Sequence, residues 1–243
     1  MPAYGRFARF YDAAMDDPGP RAARVVGWIE QHLPGAGSLL ELGCGTGSIL
    51  DRMPAGITLV GLDRSPEMLE VAAPKVPRAR LVEADMESFW LDEQFDVVIS
   101  VFDSVNHLLT FDAWRSMFEA VYDHLIPGGL FLFDVNTIGE LKRLGDEPPW
   151  VYDFEGGVLI IDVDFAHDGE SFAMSQWDIR VFEHQGDGRY QLHHEQIDEL
   201  GVSLSLLRSA LEPRFELLES VDDDGHPPTE DSVKAHFAFR RRS

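Results

Sequence analysis

The hydrophobic pattern of the chain changes period along its length. Two short apolar runs, Ser38–Leu42 and Ile57–Leu62, the second closed by Asp63, have the length and composition of buried parallel strands. Two more follow, Ala79–Ala84 ending at Asp85 and Phe95–Phe102 ending at Asp103. Between the first pair, Ser48–Met53 leaves room for only a short helix. Ser65-Pro66-Glu67 reads as a helix start: a Ser side chain can cap, Pro at the first helical position sacrifices no hydrogen bond, and Glu complements the helix dipole. From Thr110 to Leu125, Trp114, Met117, Phe118, Val121, Tyr122 and Leu125 recur at helical spacing until Pro127-Gly128-Gly129 ends the helix, and Leu130–Val135 reads as a fifth strand. Alternating strands and helices over this first half predict right-handed βαβ units and a doubly wound α/β domain.

Downstream the period shortens. Gly157–Ala166, Ser171–His184 and Arg189–Ile197 are strand-like; Trp177, Ile179 and Val181 alternate with Gln176, Asp178 and Arg180, and Gly186-Asp187-Gly188 supplies a turn, so antiparallel hairpins are expected. Ser203–Leu211 reads as a helix, Phe215–Val221 and Lys234–Arg240 as strands that rejoin the first sheet. The expected division is an N-terminal helical segment over 1–34, a core over 35–149 and 199–243, and an inserted antiparallel layer over 150–198.

Composition narrows the partners. The 243 residues carry 20 Lys plus Arg against 43 Asp plus Glu, a formal charge of −23, which repels polyanionic nucleic acid and anionic membrane surfaces. No apolar stretch is long enough for a membrane span or a signal-peptide core, and the single Cys44 permits no intrachain disulfide; a cytoplasmic protein is expected.

The sharpest chemical signal is Glu41-Leu42-Gly43-Cys44-Gly45-Thr46-Gly47, directly after a strand. Glycines there allow a tight turn and close backbone approach to a ligand. A dinucleotide site places its third glycine five residues after the first; here Gly47 follows Gly43 by four, and Glu41 would be awkward beside a pyrophosphate but suits a cationic ligand. Asp63 ends the second strand where ribose hydroxyls are held, and Asp85, with Met86 as an apolar face, is placed for an adenine amine. A bare strand-to-helix turn is the plainer alternative for the glycine loop, and these acids weigh against it.

With these motifs the chain resembles the class I S-adenosylmethionine-dependent methyltransferases. The resemblance rests on Glu41–Gly47, Gly61-Leu62-Asp63 with Ser65–Met68, Glu83–Met86, Phe95–Ile99 and Leu125–Gly129. More narrowly, the segment Tyr4–Asp12 and Phe102-Asp103-Ser104-Val105-Asn106 are similar to bacterial small-molecule enzymes that include amino-sugar N-methyltransferases. The resemblance implies a Rossmann-like methyltransferase fold, with a seven-stranded, mostly parallel sheet whose last strand is antiparallel. It implies S-adenosylmethionine as cofactor, S-adenosylhomocysteine as product, and a small-molecule acceptor methylated at N or O. The cofactor site it implies comprises Tyr11, Glu41, Gly43, Cys44, Gly45, Gly47, Asp63, Arg64, Met68, Asp85, Met86, Val101 and Phe102. In that family a Tyr commonly follows the Asn; this chain has His107.

Candidate catalytic residues are His107, Asn106 and Tyr11. An imidazole can take a proton near neutral pH, although a structural loop histidine is the plainer reading of His107. Tyr11 reads either as part of a lid or as one face of an amphipathic helix with Phe7 and Phe10. His193, His194 and Glu195 alternate faces in a strand, so they do not converge as metal ligands, and no metal is expected. Methyl transfer from a sulfonium needs alignment above all, with a base optional for an amine and required for an alcohol. A noncatalytic cofactor-binding module, a nicotinamide oxidoreductase and a nucleic-acid methylase remain as alternatives, and a homodimer is compatible with the sequence.

Overall fold

The computed structural model describes residues 5, 7–15, 17–168 and 171–243, with the backbone alone at 166–168. Tyr4 and Arg6 of the aromatic N-terminal segment, with positions 1–3 and 16 of the expected segment 1–34, lie outside the described residues. Two N-terminal helices, α1 (Ala8–Ala14) and α2 (Gly19–His32), precede β1 (Ser38–Leu42), a 3-10 turn at Leu50–Arg52, and β2 (Thr58–Asp63). Then come α3 (Pro66–Lys75), β3 (Ala79–Glu83), β4 (Phe95–Ser100), a 3-10 turn at Ser104–His107, α4 (Phe111–His124) and β5 (Leu125–Asn136). The helix starts follow the expected chemistry: Ser65 accepts from the Met68 N–H to cap α3 with Pro66 at its first position, and Thr110 caps α4.

After β5 the chain forms α5 (Ile138–Gly145) and a four-stranded meander, β6 (Trp150–Phe154), β7 (Gly157–Asp168), β8 (Phe172–His184) and β9 (Tyr190–Val202). It returns through α6 (Leu204–Leu211), β10 (Phe215–Val221) and β11 (Lys234–Arg241). The main sheet has seven strands in the order β10-β11-β5-β4-β1-β2-β3; the pairs among β1 to β5 are parallel, and β11 runs antiparallel to both neighbours.

Alternation along the strands divides the main core in two. Leu40, Leu42, Val60, Val98, Phe131 and Phe133 face α4 and α6, while Leu39, Leu59, Val97, Ile99, Leu130 and Leu132 face α2 and α3. A third cluster joins α1 to the meander: Phe7 and Phe10 pack with Leu159, Ile161, Val163, Ile179 and Val181. The expected segment 1–34 therefore divides, with α1 on the meander and α2 in the core layer.

Several elements differ from the sequence expectation. Only a 3-10 turn follows the glycine loop. The strand expected through Phe102 stops at Ser100, because Phe102 and Asp103 both take left-handed backbone angles, with φ of 60° and 52°. The short helix α5 and strand β6 were not expected. Two glycines mask α5: a Cβ on Gly139 would lie 2.3 Å from the Glu230 carbonyl, and one on Gly145 would lie 2.7 Å from the Phe165 Cβ, so close packing selects residues of poor helix propensity. Among the described residues no helix is long and apolar enough to cross a membrane.

Phe133 centres the aromatic stack of the main sheet, stacking on Phe131 at 4.6 Å and on Phe237 at 5.1 Å, the latter directly opposite on β11. Phe133→Ala should destabilise the protein by about 3–5 kcal/mol in urea unfolding, and a loss below about 1 kcal/mol would show that the stack is not central to the core.

Candidate functional site

The site forms where β1, β2, β3 and β4 end at the carboxyl edge of the main sheet. Gly43 leaves β1 with φ of +66°, and a Cβ there would lie 2.8 Å from the Ser104 Cβ, so the loop needs glycine for both conformation and space. Gly47 has a different reason: its Cβ would strike Val76 of α3 at 2.9 Å, so it serves helix packing and lines neither cavity described below. Cys44 Sγ occupies the space over Gly61, where a Cβ would come within 2.8 Å of it.

Two adjoining cavities share Tyr11, Gly43, Gly45, Phe102 and Ser104 in their walls. The first is lined by Asp63, Arg64, Met68, Asp85, Met86 and His107, and the second by Glu41, Cys44 and Val101 among others. Asp63 is set by the loop it serves: Oδ2 accepts from the Gly45 N–H at 2.8 Å and Oδ1 from the Ser65 N–H at 2.8 Å. Burial raises its carboxyl above the ordinary range, and those two N–H groups oppose the rise.

Glu41 is 2% exposed and its Oε2 has no protein hydrogen-bond partner. Burial, reinforced by Asp63, pushes its carboxyl well up. A buried carboxyl oxygen without a partner is costly, and the residue borders the second cavity, where a cationic ligand group would complete it.

Helix α1, whose Tyr11 lines both cavities, is tied to the glycine loop and α3 by Asp12. Its carboxylate accepts from Thr46 Oγ1 at 2.5 Å and Ser48 Oγ at 3.1 Å, and pairs with Lys75 of α3. Burial alone would raise the Asp12 carboxyl, but Lys75 and Thr46 bring it below its usual value. The Tyr11 phenol is pushed upward by burial and by Asp103, so it stays protonated.

Beyond Phe102 the chain turns sharply on Asp134, a buried carboxylate near the end of β5. It accepts from the N–H of Asp103 at 2.7 Å and of Phe102 at 3.2 Å, and Arg21 of α2 lies 4.1 Å over the Phe102 ring. The turn launches the 3-10 segment that carries Asn106 and His107. Asn106 is fully buried: its amide donates to the carbonyls of Asn136 and Leu200 and accepts from the Asn136 N–H. It fastens β9 to β5 and is turned away from both cavities, which corrects the expectation that it faces an acceptor. His107 does line the first cavity, and with Arg64, Asp85 and Leu108 it also lines an adjoining cleft bounded by Glu87, Thr110 and residues 194–198 of β9. Burial lowers the His107 imidazole below its ordinary value, and Asp103 opposes this.

A polar network missed in the sequence lies beneath His107. Because β11 is antiparallel, its first residue, Lys234, arrives at the carboxyl edge opposite Asn136. The Lys234 ammonium pairs with Asp103 and donates to Asn136 Oδ1 at 2.8 Å, and Asn136 Nδ2 donates to Glu199 Oε2 at 3.0 Å. His193 and His194 are separated as expected, pairing with Glu183 at 3.0 Å and Asp178 at 2.7 Å. The acids Asp134 and Glu199, each interrupting a buried strand, were the available signal; their partners come from distant segments.

The comparisons agree with this geometry. A methyltransferase domain model matches residues 39–129. The chain is 32% identical over 198 residues to "Putative methyltransferase YqeM" of Bacillus subtilis, covering 79% of each protein. It is 32% identical over 126 residues to the dTDP-3-amino-3,4,6-trideoxy-alpha-D-glucopyranose N,N-dimethyltransferase of Streptomyces venezuelae, and spans about half the length of that relative (53%) and 51% of its own. Among solved structures, a S-adenosylmethionine-dependent methyltransferase from Clostridium acetobutylicum superposes with a TM-score of 0.85 at 22% identity, covering all of both chains. S-adenosylmethionine-bound CalS10, an amino pentose methyltransferase from Micromonospora echinaspora, superposes at 0.74 with 21% identity, covering 99% of this chain and 98% of that one. The chain belongs to the class I S-adenosylmethionine-dependent methyltransferases. Its cofactor is S-adenosylmethionine, and the open Oε2 of Glu41 and the paired cavities fit that cationic nucleoside.

If Glu41 holds the cofactor's ammonium it must be ionised to do so, and burial raises its carboxyl, so binding should release a proton from Glu41 and strengthen as pH rises from the acid side. Calorimetry in buffers of different ionisation enthalpy reads both quantities, and Glu41→Gln should weaken binding and abolish the proton release. An affinity that does not respond to pH, and is unchanged in the variant, would contradict a role for Glu41 in holding the cofactor.

Proposed function

We propose that the enzyme methylates a compact amine that enters the cleft between β9 and the Ser104–His107 turn. The observation that carries this reading is the position of His107, which lines both the first cavity and the adjoining cleft. In this proposal Glu41 holds the ammonium of the methionine part, Asp63 the ribose, and Asp85 with Met86 the adenine. Arg64, Met68, Val101 and Phe102 line the same surface, and Tyr11 closes it from the lid. When bound, S-adenosylmethionine supplies a methyl group already activated by a sulfonium leaving group.

An amine reaches its site largely protonated at neutral pH and attacks only as the free base. His107, kept neutral by burial, accepts that proton: the acceptor N–H bond breaks, the proton bonds to an imidazole nitrogen, and the electron pair stays on the acceptor nitrogen. Positioning by the cleft walls supplies most of the remaining advantage.

The charge of the cleft refines the acceptor class. Relatives named for dTDP-linked amino sugars suggest an amino-sugar amine. Beyond Asp85, which it shares with the cofactor cavity, the cleft presents Glu87, Glu195 and Asp198, and Arg64, also shared, is the single Arg or Lys among its described lining residues. That balance supports an amine acceptor without a nucleotide diphosphate.

Formation of S-adenosylhomocysteine with a panel of small amines, matched alcohols and dTDP-amino sugars tests the reading. Turnover is expected with amines, and turnover confined to nucleotide-linked sugars or alcohols would overturn the acceptor class. His107→Ala should lower kcat/KM by about 10²–10⁴-fold at neutral pH, with the loss shrinking at alkaline pH as free amine becomes abundant in solution.

A further inference from the structure

Glu199 belongs to β9, the strand that also forms one wall of the cleft, and is 2% exposed. Its side chain lies on the inward face with Ile197, opposite Ser175 of β8. Donor or acceptor atoms of Glu199, His107 and Asp103 all lie within 4.8 Å of one another. The Asp103 carboxylate is already paired with Lys234, which leaves Glu199 as the one acid of this trio without a cationic partner of its own. The uncharged Asn136 amide donates to it at 3.0 Å.

Resting on the reading of His107 as the base, we infer that Glu199 is a positioning residue for methyl transfer: its carboxylate, when ionised, strengthens His107 as the acceptor of the substrate proton. A negative charge a few ångströms from an imidazole favours the imidazolium, and in a buried setting the effect is weakly screened. The groups around Glu199 set when that charge exists. Burial and Asp103 favour its neutral form, while Lys234 and the Asn136 amide favour the ionised one, and the balance places its carboxyl at about 8. Arg64 and Lys234 oppose protonation of His107 and Asp103 favours it, while the backbone of Asp198 hydrogen-bonds the ring. Arg21 acts on the Asp103–Lys234 pair.

The sign follows. Below about 8 Glu199 is protonated and uncharged; above it the carboxylate appears and His107 becomes the stronger base. The wild-type enzyme should therefore gain about threefold to tenfold in kcat as pH rises through that range. Glu199→Gln, nearly isosteric and permanently neutral, should lose this limb, and Glu199→Asp should retain one.

The test combines two readouts on full-length protein, with unchanged thermal unfolding and S-adenosylmethionine affinity as the check that each variant folds. The first is the pH profile of kcat with an accepted amine; the second is the pH dependence of the His107 imidazole resonances by NMR. An inflection of the His107 resonances near pH 8 that disappears in Glu199→Gln together with the kinetic limb is the expected result. The same inflection in wild type and Glu199→Gln would overturn the coupling. An inflection lost in Glu199→Gln while the kinetic limb persists would leave the coupling in place and overturn His107 as the base, and with it the catalytic part of the inference.

Discussion

The site depends on one carboxylate, Asp134. Two consecutive residues with side chains, Phe102 and Asp103, take left-handed backbone angles at the end of β4, a cost of roughly 1–3 kcal/mol each. Asp134 offsets it by accepting from both of their N–H groups, and hydrogen bonds to a charged group contribute about 1.5–3 kcal/mol each. The turn directs Phe102 toward both cofactor cavities, Asp103 toward Lys234, and the following 3-10 segment toward the cleft. A regular continuation of β4 would carry these residues past the edge of the sheet.

Around that turn the molecule assembles its site from segments far apart in the chain. The antiparallel run of β11 returns Lys234 to the edge where the parallel strands end, and the meander brings β9 across the same edge. Asn106 fastens the two parts by bonding backbone on β5 and β9 at once. The helix α1 shares its core with the meander and sends Asp12 to the glycine loop, so one apolar cluster and one carboxylate link it to both halves. Charge is distributed unevenly across this arrangement. Asp103 is neutralised by Lys234, whereas Glu41 is buried with one carboxyl oxygen, Oε2, left without a protein hydrogen bond beside the second cavity.

Much of the cofactor half was legible in the sequence because its signals are local. Gly43 and Gly45 sit in a single loop directly after β1, Asp63 and Asp85 follow the next two strands, and Ser65-Pro66 marks a helix start through short-range hydrogen bonding. The acceptor half was less legible because its contacts are long-range. Nothing near Lys234 in the chain announces Asp103, 131 residues away, and Glu199 reaches Asn136 across 63 residues. The role of Asn106 was misplaced for the same reason: a polar residue after β4 looks available for chemistry until the carbonyls of Asn136 and Leu200 are seen to occupy its amide. Gly47 was counted with the cofactor loop, and only the approach of Val76 reveals its packing role.

The proposal on which the rest turns is that cofactor and acceptor meet at His107, where the first cavity and the cleft adjoin. A crystal structure of the enzyme with S-adenosylhomocysteine and an accepted amine tests it most directly. The nucleoside against Asp63 and Asp85, with the amine nitrogen within hydrogen-bond reach of His107 on the β9 side, is the expected result. An amine bound away from His107, with the cleft beside β9 closed or filled by the cofactor itself, would contradict it.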